Sequence, residues 1–332
     1  MTEEIKAIPD LPAGLQEAAA RGTLIPFVGA GASRIAGCPT WSEFADGALN
    51  SFVALGKFSH AQLDQIQHLN PRIKMSIALS LQKENSVEID FEKLLYPSGV
   101  RDGIKGQRLY TALSRLGKTF VTTNYDEWLD KAIDAPTPTI TSTPDPSTTT
   151  HPPRTVVYKV DELFFDNLMR PDTVIHLHGS MRDPRGMILT TPQYLKHYAN
   201  DRLAGDVSKE NKVLTFLELL FARRSVLFVG YGLEELEILE YIIVKSRPLG
   251  EIDGYTEIRH YMLQGFFSHQ HQLMLHLAAY YRDFGIQLIP FLRDNKDWDQ
   301  LIDVLDDFAR RAPAADLMRL QKLADMEGLL DG

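Results

Sequence analysis

Leu24-Ile25-Pro26-Phe27-Val28-Gly29-Ala30-Gly31-Ala32-Ser33 is the stretch on which the reading of this chain turns. Five uncharged residues run into a turn of small ones. An apolar run of that length, without polar alternation, suits a strand buried on both faces, as at the centre of a parallel sheet. Pro26 is awkward there, because it cannot donate to a ladder. The small residues of the turn let a backbone approach a phosphate. A helix starting at that point presents free N–H groups and partial positive charge.

Three further segments repeat the design. The run 119–122 leads into Thr123-Asn124-Tyr125-Asp126, the run 173–177 into His178-Gly179-Ser180, and the run 226–229 into Gly230-Tyr231-Gly232. In an open parallel sheet, ligands bind outside the carboxyl ends of the strands. Four polar turns at four strand ends therefore predict one composite site.

The remaining pattern alternates between the two periodicities. Helices are expected at 15–21, 41–53, 126–133, 213–223, 234–244, 268–283 and 298–310, and strands at 155–160, 259–263 and 285–290. The alternation predicts an α/β fold, a Rossmann-like parallel sheet with helices on both faces. Residues 59–116 read as mainly helical, a helical insertion with one repeated face at Ile66, Leu69, Ile73, Ile77 and Leu81. Residues 134–153 are rich in Pro and Thr and nearly uncharged, so an exposed loop is expected. Residues 1–313 read as one catalytic domain. The segment 314–332 reads as a C-terminal amphipathic helix carrying Leu317, Leu320, Leu323, Ala324 and Met326.

Composition narrows the function classes. The chain has 332 residues, 44% hydrophobic and 24% charged, with 35 basic against 44 acidic residues and a net charge of -9. That balance argues against sequence-independent nucleic-acid binding, which favours a basic excess. No apolar run reaches membrane-spanning length, and the first residues carry no apolar signal core, so a cytoplasmic location is the default expectation. The single cysteine, Cys38, excludes an intrachain disulfide and a zinc site built from several cysteines. Cys38 has no evident activating partner and reads as an inert thiol. His269, His271 and His276 lack companion ligands, so no metal site is expected.

Each turn admits a plain and a functional role. The Gly29–Ser33 turn is a tight strand–helix connection or a phosphate cradle. It is neither a full dinucleotide fingerprint, since Arg34 stands at the third Gly position, nor a Walker loop, since no Gly-Lys-Ser/Thr follows. Asn124 offers a donor and an acceptor suited to ribose hydroxyls, and Asp126 can accept from an amide. Both are also ordinary cap residues. Strand alternation puts His176 and His178 on one face, with Gly179 turning the chain after them. His178 is a natural base near neutral pH or a hydrogen-bonded strand-end histidine. Glu234 and Glu235 favour a helix dipole or contact a ribose.

Taken in order, these motifs resemble the sirtuin superfamily, in particular the bacterial sirtuin-like branch found in phage-defence proteins. The likeness runs over residues 24–291. It implies that Gly29, Ala30, Gly31 and Ser33 bind the NAD pyrophosphate. It further implies that Asn124 holds the nicotinamide ribose and the attacking water, and that Asp126 contacts the nicotinamide carboxamide. His178 would be the catalytic histidine, and Gly230, Tyr231 and Gly232 the adenosine-side loop. Protein-deacylating sirtuins carry a four-cysteine zinc module that one cysteine cannot supply. Their Gly-Ile-Pro-Asp-Phe-Arg segment is here Gly37-Cys38-Pro39-Thr40-Trp41-Ser42. The resemblance thus implies an NAD+ glycohydrolase, with Asn124 and His178 catalytic and no cofactor beyond NAD+ as substrate. It further implies an abortive-infection effector that forms a homo-oligomer, with a HerA-like ATPase as partner. The alternatives are a deacylase or ADP-ribosyltransferase, and a non-catalytic module for NAD or ADP-ribose.

Overall fold

Seven strands are described: β1 (Leu24–Val28), β2 (Thr119–Thr122), β3 (Thr155–Val157), β4 (Thr173–His176), β5 (Ser225–Val229), β6 (His260–Phe266) and β7 (Ile286–Leu292). They form one all-parallel sheet in the order β3-β4-β2-β1-β5-β6-β7. The structure is a computed structural model and describes residues 4–97, 103–131, 154–198, 211–231 and 259–315. The Pro/Thr-rich segment 134–153, the helix expected at 234–244, Gly232 and residues 316–332 lie outside the described residues.

Eleven α-helices accompany the sheet among the described residues. They are α1 (Ala13–Arg21), α2 (Ala30–Ile35), α3 (Trp41–Ala54), α4 (His60–Ile66), α5 (Pro71–Asn85), α6 (Phe91–Leu95), α7 (Ile104–Leu116), α8 (Thr191–Tyr198), α9 (Lys212–Arg223), α10 (His271–Asp283) and α11 (Gln300–Arg311). Strand alternation sorts β1 between the two faces of the sheet. Leu24 and Val28 join a core with α1, α7 and α11, while Ile25 and Phe27 join a core with α9 and α10. Phe27 packs among Phe221, Phe228 and Tyr231, with ring centroids 5.2–6.5 Å away. Burying one such ring stabilises the fold by about 1.5–3 kcal/mol.

Pro26 is tolerated because of where it falls. β1 pairs with β5 along its whole length but with β2 only at Phe27 and Val28. The proline therefore precedes the ladder to β2, and its ring rests on Gly117. A Cβ at that glycine would stand 2.5 Å from Pro26 Cδ.

The expected insertion 59–116 divides in two. Helices α3, α5 and α6 form a separate apolar layer with Met187 and Leu189 from the chain after β4. Lys74 of α5 is buried in that layer and bonds Asp46 of α3 at 2.7 Å. Helix α7 instead belongs to the main core through Leu109, Tyr110, Leu113 and Leu116, and Arg108 ties it to Asp303 and Asp306 of α11.

Two expected elements are corrected. Residues 126–131 form turns rather than the start of a helix over 126–133. Asp126 Oδ1 accepts from Trp128 N at 3.2 Å, an Asx turn that competes with helix formation. The strand expected at 155–160 stops at Val157 and gives way to a 3-10 turn, Val160–Glu162.

Candidate functional site

Because every strand is parallel, the turns after β1, β2, β4 and β5 share one edge of the sheet. The strand order reverses between β1 and β5, the position where open α/β sheets bind ligands. Residues of all four turns line one pocket there: Ala30 and Ser33, Asn124 and Asp126, His178, and Tyr231. The pocket encloses about 950 Å³ with the space at its mouth included.

The two glycine turns press into each other. Gly29 N donates to Val229 O at 2.9 Å and Gly31 N to Gly230 O at 2.8 Å. A Cβ on Gly31 would lie 2.7 Å from Gly230 O. A Cβ on Gly230, which has φ +68°, would lie 2.3 Å from Ala32 N. These glycines are thus required by the contact between the turns. Helix α2 does begin at Ala30, as a phosphate cradle needs, although Gly31 N and Ala32 N are taken by Gly230 O and Gly29 O.

Beneath the turns lies a buried polar floor. Asn124 Nδ2 donates to Gly29 O at 3.0 Å and to Ser33 Oγ at 2.8 Å. A carbonyl can only accept, which identifies the amide end of the side chain and leaves Asn124 Oδ1 as the group offered to the pocket. Ser33 Oγ donates to Asp126 Oδ2 at 2.5 Å and stands 3.3 Å from Tyr110 OH. The Ser33 hydroxyl therefore holds Asn124 and Asp126 in place. Burial pushes the Asp126 carboxyl above its ordinary range, against the bonds from Ser33 and Trp128 N. The loop carrying both residues is fixed at its base, where Arg154 donates to Leu129 O at 2.7 Å and Trp128 stacks on Tyr110.

The opposite wall is aromatic. His178 Nε2 lies 2.8 Å from Tyr198 OH, and the ring meets Tyr194, His197 and Tyr198 edge-on. Burial, then the nearby His197 and Arg72, push its pKa down to about 3, so the ring is neutral at pH 7. His176 does not share this wall. β4 ends at His176, and that ring turns under the Asn124 loop to bond Asn124 O and Asp130, each at 2.8 Å.

Several pocket residues are not identifiable by motif. Arg72 of α5 stacks over Tyr194, with its guanidinium carbon 3.8 Å from the ring centre. Trp41, Phe44, Tyr125 and Ile188 also line the pocket, and Tyr125 OH donates to Ile188 O at 2.7 Å. The one sequence clue is Thr40-Trp41, where Thr40 caps α3 in a capping box and so fixes Trp41 at its first turn. Cys38 also lines the pocket, buried, and burial with the nearby Asp126 pushes its thiol well up. Among the described residues, no group of three His, Cys, Asp or Glu side chains could hold a metal ion. His269, His271 and His276 lie at and along the start of α10.

A family model described as a SIR2-like domain matches residues 118–289, slightly more than half of the chain. The match contains Asn124, Asp126, His178 and the Gly230 turn, and it begins after the Gly29–Ser33 turn. The sheet order and the shared pocket bring that first turn into the same site. The chain belongs to the SIR2-like domain family.

Proposed function

We propose that the chain binds NAD+ in the pocket at the β1/β5 reversal and hydrolyses its nicotinamide N-glycosidic bond. Family membership makes an NAD-related activity the coarse expectation. The observation that carries the finer reading is the pairing of an acceptor, Asn124 Oδ1, with a neutral imidazole, His178, in the lining of one pocket.

The chemistry asks little of the protein. Nicotinamide in NAD+ is already a cationic leaving group. As the C1′–N bond breaks, its electron pair neutralises the pyridinium and the ribose becomes oxocarbenium-like. Asn124 Oδ1 accepts from a ribose hydroxyl or from the water that forms the new C1′–O bond. His178 takes the proton that water releases. A weak base suffices, because the leaving group departs before water has added fully. Phe27, Trp41, Phe44 and Tyr125 surround this position with apolar surface and limit access of other nucleophiles.

As part of the same reading, the chain is a gated effector of anti-phage defence. Unchecked cleavage of NAD+ would harm its own cell, so self-assembly or a HerA-like ATPase partner would control it. This rests on the resemblance and on the cost of the chemistry. Nicotinamide release from NAD+ by wild type, Asn124→Ala and His178→Ala tests the hydrolysis, with native mass recorded alongside. Release that vanishes in both variants is the expected result. Wild-type release by both variants would refute the site, and a fully active monomer would refute gating by assembly.

A further inference from the structure

His176 has no part in the hydrolysis proposed above, yet both nitrogens of its ring are committed. The side chain is fully buried. Nδ1 lies 2.8 Å from Asn124 O, and a backbone carbonyl only accepts, so Nδ1 carries a proton. Nε2 lies 2.8 Å from Asp130 Oδ1. The other oxygen of that buried carboxylate accepts from Arg182 Nε at 2.8 Å. With Arg182 donating to one carboxylate oxygen of Asp130, the other accepts from the ring N–H at Nε2. Both ring nitrogens are donors.

The charges around the ring agree. Asp126 and Asp130 come from the turns after β2, and Arg182 from the chain after β4, where it also lies 3.6 Å from Glu127. Arg154 braces the same turns through Leu129 O. Burial disfavours the imidazolium, but the bond and charge of Asp130, the Asn124 carbonyl and the Asp126 charge outweigh it and hold the pKa above its ordinary value.

We propose that His176 is a positioning residue, an imidazolium clamped between Asp130 and Asn124 O that fixes the Asn124 loop so that Asn124 Oδ1 meets the terminal ribose of the substrate. The identity of that ribose rests on the NAD reading. The main chain of Asn124 is held at both ends, since its N–H donates to Thr122 Oγ1 at 3.0 Å and its carbonyl accepts from His176. The side chain is tied separately to Gly29 and Ser33. Loss of the His176 clamp leaves the carbonyl unpaired and frees the loop to shift, which moves Oδ1.

The test compares the wild type with Asp130→Asn, an isosteric change that removes the anion. Imidazole nitrogen NMR reads the protonation of the ring, and calorimetry reads the affinities for ADP-ribose and for ADP, which lacks the terminal ribose. The wild type should show one doubly protonated imidazole at pH 7.5 that disappears in D130N. The variant should bind ADP as the wild type does and ADP-ribose about tenfold more weakly, with a similar fall in kcat for nicotinamide release. If D130N fails to fold, the double variant His176→Gln/Asp130→Asn removes both partners and should show the same selective loss. Equal weakening of ADP and ADP-ribose, or no change in either, overturns the positioning role. A singly protonated His176 in the wild type overturns the clamp. A wild type that binds neither nucleotide sinks the NAD reading and the ribose assignment with it, while the imidazolium signal still decides the charge of His176.

Discussion

His176 and His178 stand two residues apart at the end of one strand, and their surroundings treat them in opposite ways. His176 sinks into a floor of hydrogen bonds and charges, where Asp130 draws its pKa up. His178 faces a wall of rings, where burial, then the nearby His197 and Arg72, draw its pKa down to about 3. A floor of this kind holds geometry, because each displaced atom leaves a buried partner unpaired. A wall of rings excludes water and keeps the imidazole neutral. The same side chain is thus suited to positioning in one place and to accepting a proton in the other.

The largest expected effect tests the wall. His178→Ala should lower kcat for nicotinamide release by roughly 10²–10⁴-fold, the span of a lost general base, in steady-state assays. A change of less than fivefold would mean that the ring serves only as packing. The glycine turns above the floor are tested next. Gly230→Ala forces a side chain into φ +68° and against Ala32 N, so it should cost at least about 1–3 kcal/mol and lower the calorimetric melting temperature. A stability equal to that of the wild type would show that the two glycine turns are not pressed together.

Acid titration separates the two histidines by sign. The folded pKa of His178 is depressed from 6.5 to about 3. The unfolded chain therefore takes up a proton below about pH 6.5 that the folded chain refuses. The stability contributed by the neutral ring is lost as pH falls from about 6.5 toward 3. His176, with a raised folded pKa, contributes stability that is full below 6.5 and lost as pH rises through its folded value. In denaturant melts across pH, His178→Gln should flatten the acid-side loss and leave the alkaline side alone. The reverse pattern would exchange the two assignments.

Two smaller effects sharpen the picture. Tyr198→Phe removes the hydroxyl beside His178 Nε2 and should change kcat by only a few fold, with the pH profile shifted. Cys38, buried with its thiol pushed up, should react with iodoacetamide in the folded protein at least about tenfold more slowly than a free cysteine. Rapid labelling would mean that the pocket opens widely in solution.

Much of the frame was readable in the chain. β1 and β2 occupy Leu24–Val28 and Thr119–Thr122 as expected, because short apolar runs ending in small or polar turns have few other solutions. The helix expected at 126–133 gives way to turns over 126–131. The Asx turn at Asp126 is local, but the bonds to His176 and Arg154 that hold this segment come from chain 46 and 25 residues away, and no local pattern contains them. The aromatic wall was missed for the same reason. Arg72, Tyr194 and Tyr198 come from α5 and α8, and each looks like an ordinary helix residue until the helices meet.

The sequence by itself determined the strand set, the parallel α/β architecture and the placing of four polar turns at strand ends, because periodicity and turn chemistry are local properties of neighbouring residues. Only the tertiary structure decided that the glycines serve the contact between two turns, that Ser33 holds Asn124 and Asp126, and that two nearby histidines have opposite charge preferences. Those outcomes depend on burial and on charges brought together across the sheet, and burial and proximity exist only once the chain has folded.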